Sequence, residues 1–323
     1  MNKKILISIS IIIVIFLGGV KFLNITQEKS LNTVIHNTSE IESVKDISCC
    51  ILKNECTLSK VKIKETGSNS KEFILIDSIK IKGLSDLSLL SDNKNEDPFL
   101  ANVNIEVTGI SYSNKDNKLE KVPLPKKIKK TIKDNKPSIS INIKVDSKKS
   151  ISYVNLSLDL KLDKLATFKA YTNLEFPGNF KEMSKSDNST DIKVEKIGLV
   201  LYQKNDLIKD ILYSFYKYQA NDTGNIRLLN ASLSAEKYND KLMTKKELID
   251  TLIDNVKSMK KSPGVELNKD NLIKFVSNKD SKISVIFINN KKLSISEISL
   301  IQNKLNSIDN KLIASDYYTI KID

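Results

Sequence analysis

The sequence predicts an α+β protein: an N-terminal transmembrane helix, an antiparallel β-sheet, and a helix-rich C-terminal part packed on that sheet. Three observations predict it. An apolar run long enough to cross a bilayer stands near the start, a period of two governs the residues after it, and beyond Lys204 the period becomes helical. The organisation this implies is a cytoplasmic tip at 1–4, an anchor at 5–23, a polar stalk or helix at 24–45, an antiparallel sheet region at 46–203 and a helix-rich α+β region at 204–323.

The anchor comes first. Ile5 to Leu23 is interrupted by one charge, Lys21, which sits near the end of the run where its ammonium can reach the headgroups. Lys3 and Lys4 precede the run and hold that end in the cytoplasm, so the remaining residues cross to the outer side. No small-x-small triplet follows the apolar run, so the segment reads as an uncleaved signal-anchor, with a cleaved signal peptide as the alternative. The expected location is the inner membrane, single-pass, with the body in the periplasm or outside the cell. From Thr26 to Ser43 the chain is polar with scattered apolar residues and suits a stalk.

Cys49, Cys50 and Cys56 are the whole cysteine complement. An oxidising compartment predicts a disulfide from Cys56 to either Cys49 or Cys50, with one thiol left over. A zinc site would need a fourth ligand, and the single histidine, His36, lies in the polar stretch upstream.

Strand signals follow. Leu58, Val61 and Ile63 lead into Phe73 to Ile81; Val103, Ile105 and Val107 alternate, as do Ile139, Ile141, Ile143 and Val145. The clearest is Val154, Leu156, Leu158, Leu160 and Leu162, with polar residues between them, followed by Phe168, Leu174 and Phe176 on the next strand. Such a face is wholly apolar on one side and must be covered, by helices or by a hydrophobic ligand. In the next strand the apolar parity shifts from Ile192 and Val194 to Ile197, Leu199 and Leu201, which predicts a bulge near Glu195 and Lys196. The insertion at Ser113 to Lys136 reads as a surface loop with, at most, a short lysine-rich helix. Its Lys126, Lys127, Lys129, Lys130 and Lys133 are candidates for contact with an anionic surface.

The helical half opens with Asn205 as a cap ahead of Leu207, Ile208, Ile211, Leu212 and Phe215. Thr244 with Glu247 makes a capping box before Leu248, Ile249, Leu252 and Val256; Pro263-Gly264 stops that helix, and Asn268 begins another. A strand at Ile283 to Ile288, a second capping box of Ser294 with Glu297, and a closing strand at Tyr317 to Ile322 complete the pattern.

Composition narrows function. Lys+Arg number 52 against 39 Asp+Glu, yet Arg227 is the only arginine, which argues against a nucleic-acid reader because guanidinium supplies the bidentate contacts to phosphate and guanine. One histidine, at His36, leaves little for a Ser-His-Asp or Cys-His arrangement, and no glycine-rich loop precedes a helix to cradle phosphate. Carboxylate pairs such as Asp159 with Asp163, or Asp250 with Asp254, read as solvated surface among lysines. Tyr213, Phe215, Tyr216 and Tyr218 read as core and rim of one helix. No catalytic, cofactor-binding or metal-binding residue is therefore assigned.

The N-terminal anchor, the strand pair ISYVNLSLDLKLDKLATFKAYTNLEF and the following IKVEKIGLVLYQKNDLIKDILYSF together resemble the YdgA-like membrane-anchored envelope proteins of Gram-negative bacteria. The resemblance covers the anchor and roughly the middle third, and envelope proteins of the AsmA type share it over short stretches. It implies a periplasmic location and carries no functional residue with it. The expected function is that of a non-enzymatic, membrane-anchored envelope protein that binds another protein or maintains the envelope. The alternative is a binder of lipid or another hydrophobic ligand along Val154, Leu156, Leu158, Leu160, Leu162, Phe168, Leu174 and Phe176.

Overall fold

A computed structural model describes residues 41–50, 54–64, 73–83, 85–86, 98–112, 123–134, 136–148, 151–162, 165–178, 192–235, 238, 240–260, 262, 264–294, 296–297 and 317–323. The expected anchor at 5–23 lies outside them, as do the cytoplasmic tip and residues 24–40 of the expected stalk. Among the described residues no helix is long and apolar enough to cross a membrane.

The protein is α+β, with a large, mixed but mostly antiparallel sheet and few helices. The strands are β1 (Ile41–Ser43), β2 (Asp46–Cys50), β3 (Glu55–Lys64), β4 (Phe73–Lys82), β5 (Phe99–Thr108), β6 (Ser111–Tyr112), β7 (Ser138–Ser147), β8 (Ile151–Leu162), β9 (Ala166–Pro177), β10 (Lys193–Gln203), β11 (Val265–Leu267), β12 (Ser281–Asn289) and β13 (Tyr318–Ile322). The helices are α1 (Lys126–Asp134), α2 (Leu207–Thr223), α3 (Ile226–Ser232), α4 (Lys245–Ser258) and α5 (Lys269–Ser277). Hydrogen-bonded order across the sheet is β1-β3-β4-β5-β7-β8-β9-β10-β12-β13-β11, with β2 beside β3 and β6 beside β4. β11 pairs parallel with β13. The end of the stretch expected as stalk or helix is thus a strand, β1.

Contacts divide the chain into two compact units. The first draws on Met1–Asn114, Ser138–Leu158 and Thr172–Lys193, the second on Lys115–Pro137, Asp159–Tyr171 and Val194–Asp323. In the first, alternation does what the sequence requires: Val103, Ile105 and Val107 of β5 and Ile139, Ile141 and Val145 of β7 are buried while the residues between them are not. Phe99, Ala101, Val145, Val154 and Phe176 form one core cluster, with Ile143, Leu156, Leu174 and Ile192 packed against it.

The buried face steps in register where β3 meets β4. Cys56 and Leu58 are followed by Val61 and Ile63, and Ile74 and Ile76 by Ile79, so each strand carries an extra residue. Those residues are Lys60 and Asp77, between the pairs Ser59↔Ser78 and Val61↔Ile76. Because both strands insert at one level, pairing resumes unshifted on either side. Lys60 takes the left-handed conformation (φ 52) and its Nζ lies 2.8 Å from Asp77 Oδ1. Asp77 N–H donates to Gly109 O at 3.3 Å, and Gly109 has φ 72; a side chain there would overlap the Asp77 carboxylate. The sequence shows this step as the change of spacing from Leu58 to Val61.

In the second unit, Leu207 of α2 and Ile128 of α1 form a cluster with Leu165 and Ala166, against which Leu162, Leu201 and Ile211 pack. A second cluster joins Tyr216 of α2 to Ala235, Met243 and Leu248 of α4. β10 pairs with β12 without a break from Lys196↔Ile288 to Gln203↔Ser281, so the bulge expected near Glu195 and Lys196 does not enter that ladder. Val194 and Gly198 are buried on one face, and the parity change is met by leaving Ile197 and Leu199 exposed on the other.

Candidate functional site

Three sequence-predicted places can be located. In the first, β2 and β3 pair antiparallel with Cys49 directly opposite Cys56, and the two form a disulfide with Cα atoms 4.0 Å apart. Cys50 is the free cysteine. Successive strand residues face opposite ways, so Cys50 projects away from the disulfide toward the polar face, opposite Glu55. On that face Glu55 binds Lys80 (2.9 Å) and Lys82 binds Glu106 (2.9 Å). The hydrogen bond to Glu106, then its charge, raise the Lys82 ammonium above its ordinary value. The face is a set of satisfied ion pairs around one thiol. Among the described residues no group of His, Cys, Asp and Glu could hold a metal ion.

The second place is the apolar ladder. Val154 and Phe176 are buried, and Leu156 and Leu174 pack beside them in the first unit's core. Leu162 packs into the cluster of Ile128, Leu165 and Leu207 in the second. Leu158, Leu160 and Phe168 are half-buried. Part of the predicted ligand face is therefore ordinary core.

The third is the lysine-rich segment, which forms α1. Pro125 accepts the first helical hydrogen bond, from Lys129 N–H at 2.9 Å. Ile128 is buried, Lys126 and Lys130 are exposed and Lys129 is half-buried; the side chains of Lys127 and Lys133 lie outside the described residues.

Asp159 binds Lys169 at 3.2 Å, Asp254 binds Lys257 at 3.3 Å, and Asp250 is exposed. His36 and Asp163 lie outside the described residues. Tyr216 is buried with Tyr213 stacked on it at 6.5 Å, while Phe215 and Tyr218 are exposed.

Two polar constructions escaped the sequence. Gln203, 2% exposed at the end of β10, accepts from Ile208 N–H (2.9 Å) and donates to Asn278 O (3.2 Å), Ser281 Oγ (2.7 Å) and Phe275 O. It thereby serves an orphan amide at the start of α2 and a carbonyl at the end of α5. Asn205 is not the cap: the N-cap residue is Asp206, left-handed and without a side-chain capping bond. In the second construction Tyr216 Oη donates to Asn230 Oδ1 (2.8 Å) and accepts from Met243 N–H (3.0 Å), while Asn230 Nδ2 donates to Lys241 O (3.0 Å). Buried polar groups that are this fully paired fix packing and are not poised for chemistry. The only sequence signal for either is a lone glutamine or asparagine in an otherwise apolar setting.

No protein-family model matches the chain, and no curated protein is significantly similar to it in sequence. The resemblance to YdgA-like proteins thus rests on the segments quoted above.

Proposed function

We propose that this chain is a single-pass, membrane-anchored envelope protein, held by a transmembrane helix at 5–23, that acts outside the cytoplasm by binding and not by catalysis. The observation that carries the reading is the Cys49–Cys56 disulfide, which follows shortly after an apolar run led by two lysines. Disulfides persist in oxidising compartments, and the positive-inside rule sends the same residues there. The pattern-level resemblance points to the same compartment. Its partner is another envelope protein or the envelope itself.

A thiol count tests the reading. Cells lysed into a membrane-impermeant alkylating trap should yield chain modified at Cys50 alone before reduction and at all three cysteines after it. Modification at all three without reductant, or a body resistant to protease added to spheroplasts, removes it.

The second reading, a binder of lipid or another hydrophobic ligand, is favoured by the half-burial of Leu158, Leu160 and Phe168 on an apolar strand face. Native mass spectrometry of the purified chain should then find a co-purifying lipid that organic extraction removes. A single ligand-free mass from freshly prepared protein ends that alternative.

A further inference from the structure

We propose that α1 and the lysines around its seat form a second, electrostatic contact with the bilayer, binding the phosphate headgroups of anionic phospholipids in the leaflet that faces the body. The inference rests on the membrane-anchored reading above and names the surface that turns toward the membrane.

α1 is attached to the second unit through Ile128, which is 4% exposed and packed with Leu165, Ala166 and Leu207. Lys126 and Lys130 stand two residues to either side of Ile128, and two residues are about 200° of helical turn. They are four apart from each other, so they share the face turned away from the core. Both are exposed, and neither has an ion pair among the described residues.

The seat adds to this. Lys161 is exposed beside Leu162, and Lys204 is exposed while its N–H donates to Leu165 O at 2.8 Å, so both stand next to residues of the cluster that holds Ile128. Neither of these lysines has an ion pair among the described residues either. The acids at the nearby start of α2 are already engaged, Asp206 by Lys209 and Asp210 by Lys245, each at 2.8 Å. Asp134, also exposed, follows Lys130 by four residues on the same helix face, so among the described residues Lys126, Lys130, Lys161 and Lys204 leave a net positive charge beside that acid. It is of compact ammonium type, the kind that binds an anionic surface without demanding the bidentate geometry of guanidinium. A tether makes such a contact effective, because an anchored chain meets the surface at high local concentration. Each lysine that reaches an anionic surface is worth roughly fivefold in affinity.

The test uses the full chain in vesicles of phosphatidylcholine alone or of phosphatidylcholine with phosphatidylglycerol, and reads amine acylation residue by residue by mass spectrometry. Lys126 and Lys130 should react several-fold more slowly with phosphatidylglycerol present, and the difference should vanish near 1 M salt, where screening acts within about 3 Å. Lys246, exposed on α4, should react alike in both. Equal rates for Lys126 and Lys130 in the two vesicles overturn the inference. Failure of the chain to float with phosphatidylcholine alone instead overturns the anchor. In that event, with no anchor inserted, flotation with phosphatidylglycerol vesicles reads the lysines by themselves: Lys126→Gln with Lys130→Gln should weaken it about 25-fold, and Lys246→Gln with Lys260→Gln much less. Equal losses from the two pairs mean that net charge alone is responsible, and sink the proposal.

Discussion

Gln203 shows how much one polar side chain can organise. It is buried at a strand end, and its amide is shared among β10, the first turn of α2, and the segment between α5 and β12. Gln203→Leu roughly keeps the volume but strands the Ile208 amide and takes one donor from the Phe275 carbonyl, which keeps its bond from Ser281 Oγ at 3.1 Å, and should lower stability by about 2 kcal/mol in a urea titration. A loss under about 1 kcal/mol means that water reaches those groups. Gly198 has a different role: it has no need of a left-handed backbone, but a methyl at its position would overlap the ring of Tyr171 on β9. Gly198→Ala should cost about 1–3 kcal/mol alone and much less in a Tyr171→Ala background. Additive losses would show that the ring is not the obstacle. Neither residue declares its role in sequence, since a lone glutamine and a strand glycine acquire meaning from neighbours far along the chain.

At the scale of the element, helix starts were the most legible features. Thr244 and Glu247 form the predicted capping box, with Glu247 N–H donating to Thr244 Oγ1 (3.3 Å) and Thr244 N–H to Glu247 Oε2 (2.7 Å). Ser294 and Glu297 do the same at 3.3 and 2.7 Å, and Asn268 caps α5 through Asn271 N–H. These motifs are local, so a few residues suffice to specify them. The start of α2 failed for the opposite reason, because its acceptor arrives from the strand before it. Its charges still make a prediction. The hydrogen bond from Lys209 holds the Asp206 carboxyl below its ordinary 3.8, so this pair stabilises the fold above that pH and is lost as pH falls through the folded value. The hydrogen bond to Asp210 raises Lys245 above 10.5, so that pair is complete below 10.5 and lost as pH rises through the folded value. Asp206→Asn should therefore destabilise at pH 7 by under about 1 kcal/mol, the range of exposed pairs. The gap from the natural chain should close as pH falls from 3.8 through the lowered folded value. A gap that persists there would assign the effect to something other than charge.

Across the whole molecule, the second unit closes its sheet over a long separation. Gln203 meets Ser281 across 78 residues, with α2 to α5 formed between them. Loop closure on that scale slows folding, whereas α4 needs only its own turn and cap to begin. Pulsed hydrogen exchange during refolding should find α4 amides protected before those of β12. Simultaneous protection would mean that the helices have no stability until the sheet is paired.

What the sequence determined alone were the properties carried by near neighbours: the α+β class, the alternating strands from β3 to β9, the capped helix starts and the cysteine group from which one disulfide is drawn. Periodicity and capping act over a few residues, and a strand or a cap is written where it is used. The tertiary structure alone decided which cysteine pairs with Cys56, where Lys60 and Asp77 step together, how Gln203 caps α2, and which members of the leucine ladder are core. Each depends on which strand lies beside which, and that choice is made by burial summed over the whole sheet, not by any local pattern.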